Sequence, residues 1–194
     1  LDLYEDSKMA VKKKILIAND LLKGGGVEKL MYDLVWNWHE KFDITIWADH
    51  YEKGAENLYP SNIKFIYEFV KKEYQDNLAE KVYNKVQKKA HKIWLQNYIK
   101  REKFDIAIAM KDGWTIKKIA ELDIPVKYAW IHTDYTSNYY TYGIFKGPEN
   151  ELEYMKKFKK IICVADKIRE SIIEVIGDPG NMVVRYNPID VDKI

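Results

Sequence analysis

The chain has 194 residues, 47% of them hydrophobic and 14% aromatic, which is enough apolar mass for one real core and too much for a disordered or fibrous protein. Lys and Arg number 32 against 30 Asp and Glu, so the formal charge of +2 makes no case for nucleic acid as a partner. The single cysteine, Cys163, excludes an internal disulfide and a cysteine-based zinc cluster, and no apolar run approaches the ~20 residues needed to span a bilayer.

Residues 1–12 are polar and aperiodic and read as a loose lead-in, with Met9 a candidate natural start. Residues 13–19, Lys-Lys-Ile-Leu-Ile-Ala-Asn, read as a short buried strand. Val27, Leu30, Met31, Leu34, Val35 and Trp38 then recur at the spacing of an amphipathic helix. Gly24, Gly25 and Gly26 therefore fall where a strand turns into a helix. Such a junction suits an anion: the first helical amides are unpaired, the helix dipole adds partial positive charge, and glycine lets a ligand approach the backbone. Residues 43–48 and, after Pro60, 62–67 predict the second and third strands.

The segment from Lys71 to Lys103 predicts one long helix or a pair, with an apolar stripe through Leu78, Val82, Val86, Ala90, Ile93 and Trp94. It holds ten Lys or Arg against four Asp or Glu, a local charge of +6. That charge fits either a solvated helix face or attachment to anionic lipid headgroups. Residues 104–110 predict a fourth strand, 115–122 a short helix, and 126–131 a fifth strand opened by Pro125. The turn-rich segment 132–147 carries Tyr135, Tyr139, Tyr140, Tyr142 and Phe145. A helix over 149–158, a strand over 160–164 with Cys163 as a small buried residue, a helix over 167–176 stopped by Gly177, and a strand over 182–186 complete the pattern. The turn-like Asn187-Pro188-Ile189-Asp190 reads as a domain boundary. This alternation predicts an α/β domain with a doubly wound, mainly parallel, Rossmann-like sheet carrying helices on both faces.

In such sheets ligands bind beyond the carboxyl ends of the strands, where strand order reverses. Gly24 to Gly26 follow the first strand, Asp112 and Gly113 the fourth, and His132 and Asp134 the fifth, so the usual doubly wound order brings them to one cleft. Tyr135, Tyr139 and Tyr140 follow directly, and tyrosine combines a stacking face with a hydroxyl that suits sugars. Plainer readings stand beside these: a flexible turn, a structural histidine, Asp112 capping a helix near Thr115, and a plain aromatic cluster. The glycine segment lacks the phosphate-loop pattern G-x-x-x-x-G-K-[ST], and Lys29 occupies the third glycine position of G-x-G-x-x-G. Asp49, 23 residues after Gly26, stands near where the ribose-binding acid of an NAD site belongs, which keeps a dinucleotide-binding oxidoreductase open. No metal is expected, because the histidines lack ligand spacing. With no signal peptide evident, the expected location is cytoplasmic, with peripheral contact at the inner face of the membrane through the basic segment.

Lys-Lys-Ile-Leu-Ile-Ala-Asn with Gly-Gly-Gly-Val-Glu-Lys-Leu, then Tyr-Ala-Trp-Ile-His-Thr-Asp, Ile-Ile-Cys-Val-Ala-Asp and Val-Val-Arg-Tyr-Asn-Pro-Ile-Asp, resembles the amino-terminal half of GT-B glycosyltransferases. Within that fold it is similar to the large retaining group that includes sucrose synthases, phosphatidylinositol mannosyltransferases and many bacterial polysaccharide enzymes. The resemblance implies an acceptor-side Rossmann-like domain over residues 13–186, with residues 187–194 beginning the linker to a carboxyl-terminal donor domain that the sequence does not include. It assigns Gly25 and Gly26 to the loop that closes over the donor diphosphate and acceptor, and His132 to the transferred sugar near the reacting centre. The implied donor is a nucleotide diphosphate sugar with no separate cofactor, and the implied acceptor is a saccharide or lipid-linked hydroxyl. The paired glutamates and phosphate-binding basic residues of such enzymes belong to the second domain, so this chain alone is expected to transfer little or nothing. A non-catalytic sugar-binding or membrane-docking module of the same fold is the remaining alternative.

Overall fold

The computed structural model describes residues 11–68 and 78–187. The lead-in through residue 10, the first part of the basic segment, residues 188–194 of the expected linker, and the side chains of residues 78–81 lie outside what is described.

Seven parallel strands form one sheet in the order β3-β2-β1-β4-β5-β6-β7. They are β1 (Lys14–Asn19), β2 (Asp43–Ala48), β3 (Lys64–Tyr67), β4 (Ile106–Ala109), β5 (Val126–Ile131), β6 (Lys160–Cys163) and β7 (Met182–Val184). The helices are α1 (Gly26–Trp38), α2 (Leu78–Glu102), α3 (Trp114–Glu121), α4 (Tyr142–Phe145), α5 (Pro148–Met155) and α6 (Asp166–Ile176), with a 3-10 turn at Ala55–Leu58. The expected strands 43–48 and 126–131 fall on their observed bounds, where β-branched and aromatic residues predominate. α4 and the 3-10 turn, each four residues long, carry no periodicity that a sequence could show.

Parallel strands need crossovers, and those crossovers are right-handed. From β1 the sheet grows toward β2 and β3, then returns past β1 to β4 and onward, so the helices divide between the two faces. Leu30, Met31 and Val35 of α1 pack on Ile15, Ile17, Ile44 and Ile46 on one face. Residues of α2 through α6, among them Ile99, Ile119, Met155 and Ile172, pack on Leu16, Ala107, Ala129 and Ile161 on the other. Cys163 is fully buried there, and burial pushes its thiol pKa up to about 12, which makes it an inert core residue. On the α1 face, beyond α1 itself, no described helix covers β4 to β6, and there Trp38, Phe42, Tyr128 and Trp130 line an open apolar groove of about 340 Å³.

One element turns opposite to its sequence pattern. The described face of α2 that meets the sheet is carried by Leu95 and Ile99, with His91 and Tyr98 half-buried at its sides. The expected stripe of Val82, Val86, Ala90, Ile93 and Trp94 faces outward, and Val86 is 59% exposed. The second half of the helix holds two apolar arcs, and only contact with the sheet selects between them.

Candidate active site

The turn after β1 is held from below and open above. Asn19, fully buried at the end of β1, donates from Nδ2 to the Leu21 carbonyl at 2.9 Å and to Glu28 Oε1 at 3.0 Å. Leu22 is clamped as well, its N–H donating to Glu52 at 2.8 Å and its carbonyl accepting from the Tyr59 hydroxyl at 2.7 Å. Gly24 sits at φ +114°, which favours glycine, and Gly25 precedes the first turn of α1. A side chain on Gly25 would strike the buried Glu28 carboxylate, whereas the space above Gly26 is empty. The first amides of α1 are thus left approachable on a rigid base.

Across the reversal of strand order, β4 ends at Ala109 and the chain continues through Met110, Lys111 and Asp112 to Gly113, which starts α3 at φ +85°. Any side chain on Gly113 would crowd Ile144 at 3.1 Å and Tyr140 at 3.3 Å, so this glycine permits close packing of the tyrosine-rich segment. Asp112 is buried and accepts from the Tyr140 hydroxyl at 2.8 Å, while the His132 N–H lies 3.5 Å from its other oxygen. The α3 start has no side-chain cap, so Asp112 faces the loop after β5 instead of capping a helix. His132 lies 3.1 Å from the Met110 carbonyl through Nε2. A carbonyl only accepts, so Nε2 carries the proton and the neutral ring leaves Nδ1 as an acceptor. Burial lowers the His132 pKa below 6.5, opposed by the Asp112 charge and the Met110 bond, and Glu28 and Lys111 also act on it. Glu28 below the glycine turn and Asp112 and Lys111 after β4 thus all act on His132 through charge.

Asp20, Lys111, Asp112, Trp114, Thr133, Tyr140 and Ile144 line a pocket of about 260 Å³ at this edge. Of the residues expected from sequence, Asp112 and Tyr140 line it directly, with Gly113 packed against Tyr140 behind it. Tyr135 instead points into the core, 1% exposed, its hydroxyl donating to the buried Glu151 at 2.8 Å. Thr141 donates to the other Glu151 oxygen at 2.8 Å, and burial raises that carboxyl's pKa above 4.5. Tyr139 is half-buried against the Tyr135 ring, so both tyrosines support the loop from beneath. Asp134 closes a turn with Thr136 and Ser137 and pairs with Lys167 at 2.9 Å, and these bonds hold its pKa well below the usual carboxylate range. Asp49 is taken up by Lys118 at 2.5 Å, and Lys118 is shared with Glu68 at 3.1 Å. Asp20, Lys111 and Trp114 were not singled out by sequence. Their one signal was position, immediately beyond the ends of β1 and β4.

A wholly parallel sheet that reverses at β1, with a polar pocket at the reversal, is a Rossmann-like domain. The model of Glycosyltransferase Family 4 matches residues 24–193, and the chain belongs to that family. HepE of Anabaena, crystallised with UDP and glucose, superposes with a TM-score of 0.62 at 14% identity, covering 93% of this chain and 46% of its own. A glycosyltransferase of Rickettsia africae ESF-5 superposes at 0.51 with 15% identity, covering 94% of this chain and 45% of its own. The chain therefore spans a little under half the length of these two structures. No curated protein sequence matches it. The family membership rules against the NAD oxidoreductase alternative, for which Asp49 is in any case engaged by Lys118.

The His132 environment gives a pH prediction. Its folded pKa lies below the unfolded value of 6.5, so on acidification the unfolded chain takes up a proton that the folded chain refuses. The stabilisation is fully present above 6.5 and is lost as the pH falls through the folded value. A nitrogen-15 NMR titration should show the Nε2–H tautomer at pH 7 and a midpoint below 6.5; a ring charged at pH 7 would contradict the geometry.

Proposed function

We propose that residues 13–186 form the acceptor-side domain of a glycosyltransferase that moves a sugar from a nucleotide diphosphate sugar to a hydroxyl of a saccharide or lipid-linked acceptor. The observation that supports this reading is the polar pocket at the strand-order reversal of a family 4 domain, lined by Asp20, Lys111, Asp112, Thr133 and Tyr140, with Gly24 to Gly26 and His132 outside its lining. A UDP-type donor is supported by the UDP, UDP-glucose and glucose bound in HepE, and retention of anomeric configuration by the family resemblance.

The reaction separates an oxocarbenium-like sugar from a departing diphosphate. Oriented amides at Gly25 and Gly26 meet the anionic leaving group without reorganising, and the clamps on Leu22 hold them in place. Neutral His132 presents Nδ1 as an acceptor for a sugar hydroxyl and orients the ring without acting as a nucleophile. Asp112 and Tyr140 shape the acceptor side. Because the chain spans less than half of the similar structures, the reading includes a second domain that holds most of the donor. In the protein carrying that domain, His132→Ala should lower kcat by roughly 10²–10³, the scale for losing one hydrogen bond to the reacting group, while the melting temperature stays near wild type. An unchanged kcat would remove His132 from the reacting centre, and no transfer by the wild-type protein would point to a non-catalytic module.

A second contact is favoured by the outward stripe of α2. Val82, Val86, Ile93 and Trp94 are exposed, and so are Lys85, Lys88, Lys89 and Lys92 of the same helix. This pattern suits the surface of an anionic membrane, where each basic residue adds about 1 kcal/mol. No helix among the described residues is long and apolar enough to cross a membrane. Vesicles with anionic lipid should sediment the protein and neutral vesicles should not. Val86→Glu should weaken that binding while changing folding stability by no more than about 0.5 kcal/mol. Equal binding to both vesicle types would remove the membrane from this account.

A further inference from the structure

The pocket at the strand-order reversal has a charge pattern that narrows what it accepts, and the argument rests on its being the acceptor site. Its lining contains one cation, Lys111, whose Nζ lies 2.8 Å from Asp20 Oδ2. Burial disfavours the charge on Lys111, but the hydrogen bond and charge of Asp20, together with the charges of Glu28 and Asp112, raise its pKa. Asp112, buried in the wall, makes no ion pair within 4 Å among the described residues: its bonds come from the neutral Tyr140 hydroxyl and the His132 amide. Asp20 pairs with Lys111, Asp112 adds a second carboxylate to the lining, and just outside it the Lys117 ammonium donates to the Ile144 carbonyl at 2.7 Å and lies 5.4 Å over the Trp114 ring.

The remaining groups point the same way. The Tyr140 hydroxyl is spent on Asp112, so Tyr140 offers the pocket its ring, and Trp114 offers a second aromatic surface, 53% exposed. Asp20 Oδ1 makes no hydrogen bond among the described residues and remains an acceptor. Aromatic faces suit the C–H face of a pyranose, and carboxylate oxygens suit groups that donate, which means hydroxyls or an ammonium. A carboxylate or phosphate on the ligand would meet like charge and acceptors facing acceptors.

We propose that this pocket selects uncharged or amine-bearing saccharides and rejects anionic ones, and that the Asp20–Lys111 pair sets the preference by neutralising the pocket's one cation. Asp20 is the specificity-determining residue. With it neutral, the Lys111 ammonium is released to the pocket and the sign of the preference changes.

The test is NMR titration of the nitrogen-15-labelled chain with glucose, glucosamine, glucuronate and glucose 6-phosphate, read at the Trp114 indole N–H. Glucose and glucosamine should shift that resonance, and the two anions should bind at least about tenfold more weakly. Asp20→Asn should strengthen the anions relative to glucose by a similar factor, and Lys111→Met added to it should abolish that gain. Asp112→Asn, nearly isosteric, should relax the discrimination without reversing it. Anions that bind wild type as well as glucose does would overturn the charge inference and leave a saccharide site standing. If none of the four sugars moved the Trp114 signal, the acceptor-site reading itself would fall, and this inference with it.

Discussion

The structure depends on one topological constraint. Right-handed crossovers between parallel strands send α1 to one face of the sheet and α2 to α6 to the other, because growth of the sheet reverses at β1. The loops leaving β1 and β4 therefore part, and the crevice between them is the place where backbone amides and side chains can reach a ligand without breaking the core. Every residue given a chemical role here lies on that edge. The polar network below it keeps the crevice in shape: Asn19 with Glu28 under the glycine turn, and Tyr135 with Thr141 on Glu151 under the loop after β5.

That network explains how a site built largely of loops can be rigid. Glu151 is fully buried, yet both of its oxygens accept hydroxyl donors, which offsets the burial of a carboxyl group. The loop from His132 to Gly147 is fixed by those bonds and by the Asp134 turn, and so it carries Tyr140 to Asp112 and into the pocket wall. Clamping the glycine turn through Leu22 has the same effect on the opposite side. Preorganised dipoles of this kind do their electrostatic work without moving during reaction.

Much of this was legible in the residues. Apolar runs and helical periods gave the strands, the parallel sheet and the edge where ligands belong, because a buried parallel strand and an amphipathic helix each leave a direct period in the sequence. The periodic stripe of α2 misled in one respect: period reports that an apolar face exists, and only the sheet decides which face is covered. Tyr135 carried the same chemistry on paper as Tyr140, yet one is core and the other lines the pocket, since tyrosine suits either place. The Asp20–Lys111 pair joins residues 91 positions apart, and no local pattern announces such a contact. Glu28 was hidden by its helix, where a glutamate in the first turn ordinarily reads as a solvated charge complementing the dipole.

The central claim is that this domain supplies one side of a transferase whose donor is held mainly by a second domain. Thermal unfolding of this chain alone and of the protein carrying that domain, each with UDP-glucose, tests it directly. A native-state ligand at ~100 times its dissociation constant stabilises by about 2.7 kcal/mol, a readily measured shift. The account predicts that shift in the two-domain protein and little or none in the chain alone. A full shift in the chain alone, or no shift in either, would contradict it.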